Sequence, residues 1–357
     1  MALDVGFRHI DCAMIYGNEK EVGEGMATAM KKLNLKREDI FITSKLWCDK
    51  HAPEDVRKAC EMSIKNLGID YLDLYLIHFP ASFKMKDSVS IATIDPDSVV
   101  FEYHKLEDTW GAMEELVHAG LVRSIGVSNF NKRQIERILA SCTIPPAVNQ
   151  VEVNIHLLNT KLIEFCHSKS ILVEGYALLG SSGFMKGQVR PVLEEKCVVE
   201  IAHKHNKTPA QVLLRHGLQR GIVVLVKSVT PERIKSNFDV FDFELTDEEV
   251  ENLNNTGINK RIFWAPVLVL YALIGEGNSL QQGLTVGLQV STHPTSESSN
   301  FLFVDSSLSK FMKSVISDVG ILTFGVGFVK LNVLIKVGKG PTGDLLEAQR
   351  EGDGWQT

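Results

Sequence analysis

Between Phe7 and Phe241 strand-like and helix-like segments alternate without interruption by a run of consecutive strands. That alternation is the feature that most narrows the fold, because a βαβα order implies a parallel sheet with right-handed crossovers. Residues 7–13, 40–46, 73–78, 124–127, 147–153, 171–177 and 222–226 read as strands, seven in all. Residues 19–33, 53–67, 106–118, 132–140, 160–168, 198–205 and 209–219 read as helices, with two more opening at Thr230 and Thr246. Pro53 suits a first helical position and Gly68 a helix end, since proline needs no partner for a missing N–H and glycine accepts positive φ. Residues 80–105 are polar and aperiodic, and a stretch of that length reads as a functional or disordered loop.

Three of the apolar runs end in residues suited to proton transfer. Phe7-Arg8-His9-Ile10 leads into Asp11, with Tyr16 five residues on; residues 40–44 lead into Lys45; and residues 73–77 lead into His78. In an eightfold β/α barrel the carboxyl ends of the strands converge on one face, which would gather these four side chains. Together they can act on a carbonyl group: Tyr16 as proton donor, Lys45 as the charge that makes it a better acid, Asp11 as the partner of Lys45, and His78 as the group orienting the carbonyl oxygen. Alone, each has an ordinary structural explanation, such as a solvated strand-end lysine or a histidine capping a strand before Phe79-Pro80. The four in order, at strand ends, carry the reading.

At this point the chain resembles the aldo-keto reductases, most closely the aldose and aldehyde reductase branch. The similarity runs from about Asp4 to Phe263, through Asp11-x4-Tyr16, the Lys45 of ITSKLW and the His78 of LDLYLIHFP. It implies a (β/α)8 TIM barrel of the α/β class. It also implies that Asp11, Tyr16, Lys45 and His78 form the catalytic set, and that NADPH or NADP+ is the cofactor. In the same resemblance, Ser128, Asn129 and Gln150 correspond to the hydroxyl and amides that hydrogen-bond a nicotinamide carboxamide, and Tyr176 to the ring that stacks on it. Lys227-Ser228-Val229-Thr230-Pro231-Glu232-Arg233-Ile234-Lys235-Ser236-Asn237 resembles the family's segment for a 2′-phosphorylated adenosine. Its chemistry fits: Lys227 and Arg233 can offset phosphate charge, Ser228 and Thr230 add short donors, a helix starting at Thr230 offers free N–H groups, and Asn237 can meet the adenine edge. Val229 lies within that segment. No GxGxxG follows a strand, which excludes a Rossmann site.

Several positions depart from the family pattern. Ala177-Leu178-Leu179-Gly180 stands where Ser-Pro-Leu-Gly is common, Ser236 replaces an acidic neighbour of the adenine, Asn154-Ile155-His156 replaces a His-Pro pair, and Phe79 stands where a tryptophan often lines the substrate pocket. The resemblance begins just after the place of a first strand, so the barrel is expected to lack its first β/α unit and to be open, with seven strands. It stops near Trp264, so residues 1–263 read as the barrel, and 264–357 as an irregular or poorly ordered tail unrelated to the family.

Composition narrows the rest. At 357 residues, 44% hydrophobic and 23% charged, the chain suits a soluble protein of one large barrel or two ordinary domains. A net charge of −6 gives no sign of nucleic-acid binding. The apolar run 262–274 is too short to cross a bilayer, so no membrane partner is expected. Six cysteines without a CxxC pair, and a start at Met1-Ala2-Leu3-Asp4 without the features of a secretory leader, point to reduced thiols in a cytoplasmic protein with no metal centre. The expected activity is NADPH-dependent reduction of a small aldehyde or ketone by a monomer. The alternative is a catalytically impaired cofactor-binding or interaction protein derived from such a reductase. A glycosidase on the same barrel needs paired carboxylates, and Asp11 is alone in the strand-end set.

Overall fold

The computed structural model describes residues 1–85, 99–181 and 190–263, and four short strands farther along the chain. Seven parallel strands form one sheet: β1 (His9–Asp11), β2 (Phe41–Leu46), β3 (Leu72–Ile77), β6 (Val122–Ser128), β7 (Val148–Glu152), β8 (Leu172–Tyr176) and β9 (Val223–Val224). The sheet order is the chain order, β1-β2-β3-β6-β7-β8-β9, so every connection is a crossover to the next strand. The sheet curls into an open barrel, with β1 and β9 as its two edges.

The α-helices of the described residues are α1 (Ala2–Val5) before the first strand, α2 (Glu19–Leu33), α3 (Pro53–Leu67), α4 (Leu106–His118), α5 (Lys132–Leu139), α6 (Thr160–Ser168), α7 (Lys196–His205) and α8 (Pro209–Gln219) between strands, and α9 (Pro231–Phe238) and α10 (Asp247–Asn254) after β9. Local sequence sets several of their ends. Pro53 opens α3 and Gly68 closes it at φ 65°, while Asn34 closes α2 at φ 54°, the left-handed conformation that these residues tolerate. The amide groups at the starts of α5, α8 and α10 are capped by Asn131, Thr208 and Thr246, each paired with a glutamine or glutamate three residues on.

The period-2 alternation of the strands sorts the side chains into two layers. On β2, Ile42 and Leu46 join the core between sheet and helices, while Thr43 and Lys45 face the barrel interior, where they meet His9 and Asp11 of β1. Leu74 and Leu76 of β3 pack with Val148 of β7 in a separate apolar cluster. The outer core is made by Ile42, Leu46, Tyr75, Ile77, Trp110, Ile125, Ile135 and Val173, among others, each large aliphatic contributing about 1.5–3 kcal/mol by its burial. Helices α2 and α3 approach closely: a Cβ at Gly23 would lie 2.3 Å from the Leu67 carbonyl oxygen.

Two expectations need correction. The 80–105 stretch is not wholly a loop: Phe83–Met85 (β4) and Val99–Phe101 (β5) form an antiparallel pair, their apolar runs being too short to show a period; residues 86–98 lie outside the described residues. The last barrel strand is only two residues long, and the first only three, because the edge positions have a neighbour on one side to hold them.

The chain divides into two compact units, Met1–Leu273 and Ile274–Thr357. In the second, β10 (Leu302–Phe303) pairs parallel to β11 (Ile335–Val337), which pairs antiparallel to β12 (Leu346–Glu351), itself antiparallel to β13 (Gly354–Gln356). The expectation for the remaining residues of 264–357 lies outside the described residues. Among the described residues no helix is long and apolar enough to cross a membrane.

Candidate active site

The four residues singled out from the strand ends meet. Lys45, fully buried, donates from Nζ to Asp11 Oδ2 at 2.6 Å, to the Cys12 carbonyl oxygen at 2.9 Å and to the Tyr16 hydroxyl at 3.3 Å. Those three contacts use all three ammonium protons. Burial works against the charge of Lys45, but Asp11 and Tyr16 outweigh it and hold its pKa above the ordinary value. Tyr16 lies on a short helical turn, Met14–Tyr16, that ends at Gly17 with φ 69°, which swings its ring back over the strand ends. The ring is 46% exposed, while its hydroxyl end reaches the enclosed lysine. Enclosure raises the phenol pKa, and Lys45 pulls it down only in part. The expected direction of the Lys45 effect is present, since its charge and its hydrogen bond both lower the phenol pKa, but burial is larger and leaves the net shift upward.

His78 follows β3 and is buried. Burial first, and Lys45 second, push its pKa well below the usual value, so the ring is neutral at physiological pH. Its Nδ1 has no hydrogen-bond partner among the described residues. Tyr16 meets the His78 ring edge-on at 5.9 Å, Phe79 stacks on it at 5.2 Å, and Trp47 sits 5.1 Å away. Trp47 also touches Phe79 and Phe83 edge-on, at 6.0 and 6.2 Å. The proton-bearing groups thus stand beside an aromatic wall. Trp47 and Phe83 are missed by a reading that looks only for titratable strand-end residues; the signal for Trp47 was its place two residues after Lys45.

The residues matched to a nicotinamide lie along the next three strand ends. Asn129, at φ 63°, donates from Nδ2 to the His78 carbonyl oxygen at 3.0 Å and to Ser128 Oγ at 3.1 Å, and accepts from the Tyr176 hydroxyl at 2.7 Å. Ser128 Oγ donates to the Gln150 carbonyl oxygen at 2.8 Å. Gln150 reaches across the interior, donating from Nε2 to Asp11 Oδ1 at 2.9 Å and to Glu174 Oε2 at 2.8 Å. Glu174, 3% exposed, is a member of this cluster that the reading of strand ends overlooked. Tyr176 packs edge-on against Phe263 at 5.6 Å, and that last segment is tied down by Glu152, which accepts from the backbone N–H groups of Ile262 and Phe263 at 2.8 and 3.0 Å.

The phosphate-type segment follows β9. Lys227 and Arg233 are exposed and form no ion pair among the described residues. Val229 is 81% exposed. Ser228 Oγ accepts from the Thr230 backbone N–H at 3.2 Å. Thr230 is the residue before α9, with Pro231 in the first turn, but its side chain does not cap the helix. Asn237 is buried on α9, less open than the other members of the segment. In sheet order, the candidate residues thus run in one arc: Asp11, Lys45, His78, then Ser128 and Asn129, Gln150, Tyr176, and the Lys227–Arg233 segment.

Comparison with known proteins places the chain in a family. The model of the aldo/keto reductase family matches residues 1–257. Aldo-keto reductase family 1 member A1 of Xenopus tropicalis is 45% identical over 279 residues, covering 77% of this chain and 84% of its own length. Prostaglandin-E(2) 9-reductase of Oryctolagus cuniculus is 47% identical over 266 residues, covering 73% and 82%. Among solved structures, the aldose reductase from Schistosoma japonicum superposes with a TM-score of 0.68 at 50% identity, covering 73% of this chain and 83% of that one. The chain belongs to the aldo/keto reductase family. Membership supports an oxidoreductase that acts on carbonyl compounds.

Proposed function

We propose that the chain reduces aldehydes or ketones to alcohols with NADPH, using Tyr16 as the proton donor. The observation that carries the proposal is the buried Lys45, 2.6 Å from Asp11 and 3.3 Å from the Tyr16 hydroxyl. A buried ammonium costs several kcal/mol of desolvation and is retained where it is fully paired. Here its third partner is a phenol that opens to solvent. The nicotinamide, when bound, supplies hydride to the carbonyl carbon. Tyr16 donates its proton to the carbonyl oxygen as negative charge develops there. The phenolate left behind is stabilised by the Lys45 ammonium, and Asp11 keeps that ammonium in place. Neutral His78 orients the carbonyl oxygen without adding charge. Trp47, Phe79 and Phe83 give the carbonyl compound an apolar, water-poor wall.

The residues fit a 2′-phosphorylated dinucleotide. Ser128, Asn129 and Gln150 would hold the carboxamide and Tyr176 the ring face. Lys227, Ser228, Val229, Thr230, Arg233 and Asn237 would hold the phosphorylated adenosine end. Two observations support this end: cations left without carboxylate partners, and a first helical turn left without a side-chain cap, which together favour an anion. We place the whole reaction within residues 1–263, as a monomer acting on a small carbonyl compound in the cytoplasm.

A second reading, a cofactor-binding protein with impaired catalysis, is favoured by one observation: β1, which carries Asp11, is three residues long and pairs with β2 alone. Turnover separates the two. The full chain is mixed with NADPH and an aromatic aldehyde, and NADPH absorbance is followed beside a fluorescence titration of NADPH binding. Sustained oxidation is expected. Binding without oxidation above the protein-free rate would leave the second reading, and no binding would remove both.

A further inference from the structure

Glu174 is a carboxyl that the mechanism above does not use. It sits in mid-strand on β8, two residues before Tyr176 and therefore on the same interior face. It is 3% exposed and bonded through Oε2 to Gln150 Nε2 at 2.8 Å. The other Gln150 N–H goes to Asp11 Oδ1 at 2.9 Å. Both amide protons of Gln150 are thereby spent on carboxyl groups, and its carbonyl oxygen is the polar atom left to face a ligand. Turning the amide over would aim that oxygen at two carboxyl groups.

We propose that Glu174 is a positioning residue for Gln150 whose protonation is coupled to the charge of the nicotinamide, so that ionised Glu174 favours the oxidised cofactor and neutral Glu174 the reduced one. This rests on the reading that Gln150 faces the nicotinamide. The oxidised ring carries a positive charge that the reduced ring lacks, and a ring held by Gln150 would have only that amide between it and the Glu174 carboxyl. The charged and titratable groups around Glu174 can be named from each packed element. From β1 come Asp11 and His9, whose Nε2 is 3.9 Å from Glu174 Oε1; burial keeps His9 mostly neutral. From β2 comes Lys45, and from β7 Glu152, two residues beyond Gln150. On β9 the facing residues are Val223 and Val224. The one cation, Lys45, is already bonded to Asp11. A second negative charge therefore meets no partner of its own beyond the Gln150 amide. Burial pushes the Glu174 pKa up to about 7, with Gln150 opposing and Asp11 adding to the rise, so both protonation states are populated near neutral pH. Binding of the oxidised cofactor would release the Glu174 proton to solvent; binding of the reduced cofactor would not.

The test is isothermal titration calorimetry of the full chain with NADP+ and with NADPH, each near neutral pH in buffers of different protonation enthalpy. The two nucleotides carry the same phosphates, so subtracting their proton counts leaves the contribution of the nicotinamide charge. The wild-type chain is expected to release more protons with NADP+ than with NADPH, and Glu174→Gln to show no difference. The ratio of Kd for NADP+ to Kd for NADPH should fall between about pH 6 and about pH 8 in the wild type, roughly fivefold if the charge lowers the Glu174 pKa by about one unit and at most about tenfold, and stay level in Glu174→Gln. Equal proton counts for the two nucleotides in the wild type overturn the inference without recourse to any variant. So does a difference that persists in Glu174→Gln. Glu174→Asp, which keeps the charge, should restore the difference. Binding of neither nucleotide would overturn the reductase reading and this inference together; binding of both with no proton difference overturns this inference alone.

Discussion

Two regions of the molecule present cations to the same arc of strand ends, and they do so in opposite ways. Lys45 is fully buried and bonded to three protein oxygens. Lys227 and Arg233 are exposed and have no ion pair among the described residues. The first arrangement is finished before any ligand arrives; its charge is balanced by Asp11 and its geometry is fixed by packing. The second depends on a ligand to complete it. On the proposed function, the difference divides the labour of a cofactor-dependent site: the group that would hold a proton donor at a set distance is locked, and the groups that would capture and release a soluble phosphate are left in water, where their charge costs little to expose.

The largest effect should come from breaking the locked region. Lys45→Met leaves Asp11 enclosed without its cation, and removing one partner of a buried pair typically costs about 3–5 kcal/mol. Urea denaturation should show a loss of that size, and the variant should have no measurable turnover. A variant as stable as the wild type would mean that Lys45 and Asp11 are not the closed pair described above.

Glu174→Gln should have the next effect, and its sign depends on pH. The folded-state pKa of about 7 lies above the ordinary 4.5, so the folded protein holds the proton more tightly than the unfolded chain does. The stability this contributes is complete below about 4.5 and is lost as pH rises through about 7. Relative to the wild type, Glu174→Gln should therefore gain about 3 kcal/mol between acidic and mildly alkaline pH. A pH-independent difference between the two proteins would show that Glu174 titrates in the folded protein as it does in the unfolded chain.

The smallest effect on stability, and the sharpest on the comparison, should come from the open region. Arg233→Ala should change the unfolding free energy by less than about 0.5 kcal/mol, as surface substitutions do. It should weaken NADPH by about tenfold, the equivalent of roughly 1.4 kcal/mol, and NADH hardly at all. Added salt should weaken NADPH binding further in the wild type, because exposed charges are screened and enclosed ones much less so. Equal losses for NADPH and NADH in a fluorescence titration would contradict the phosphate role.

How much of this was legible in the sequence follows the same division. Lys45 could be read because it interrupts a run, Ile40-Phe41-Ile42-Thr43-Ser44, that is otherwise suited to a buried strand. Pro53 and Gly68 marked both ends of α3, and the structure places that helix at Pro53–Leu67. Glu174 was missed although its signal was present: an acidic residue inside the run Leu172-Val173-Glu174-Gly175-Tyr176, on the same parity as the tyrosine. Attention to the ends of strands passed over their middles. The hairpin of β4 and β5 was hidden for a different reason, since its three-residue strands pair across a long sequence separation and leave no local period. The spent state of the Gln150 amide was not readable at all, because it depends on Asp11, 139 residues away in the chain.

The most direct test of the central claim is the single-turnover rate of NADPH oxidation with an aromatic aldehyde, measured by stopped flow with the full chain and with Tyr16→Phe under conditions where both are saturated with NADPH. General acid catalysis by a positioned side chain contributes about 10²–10⁴-fold. The account predicts a loss of that size in Tyr16→Phe with NADPH affinity unchanged. A Tyr16→Phe variant that oxidises NADPH at the wild-type rate would contradict it.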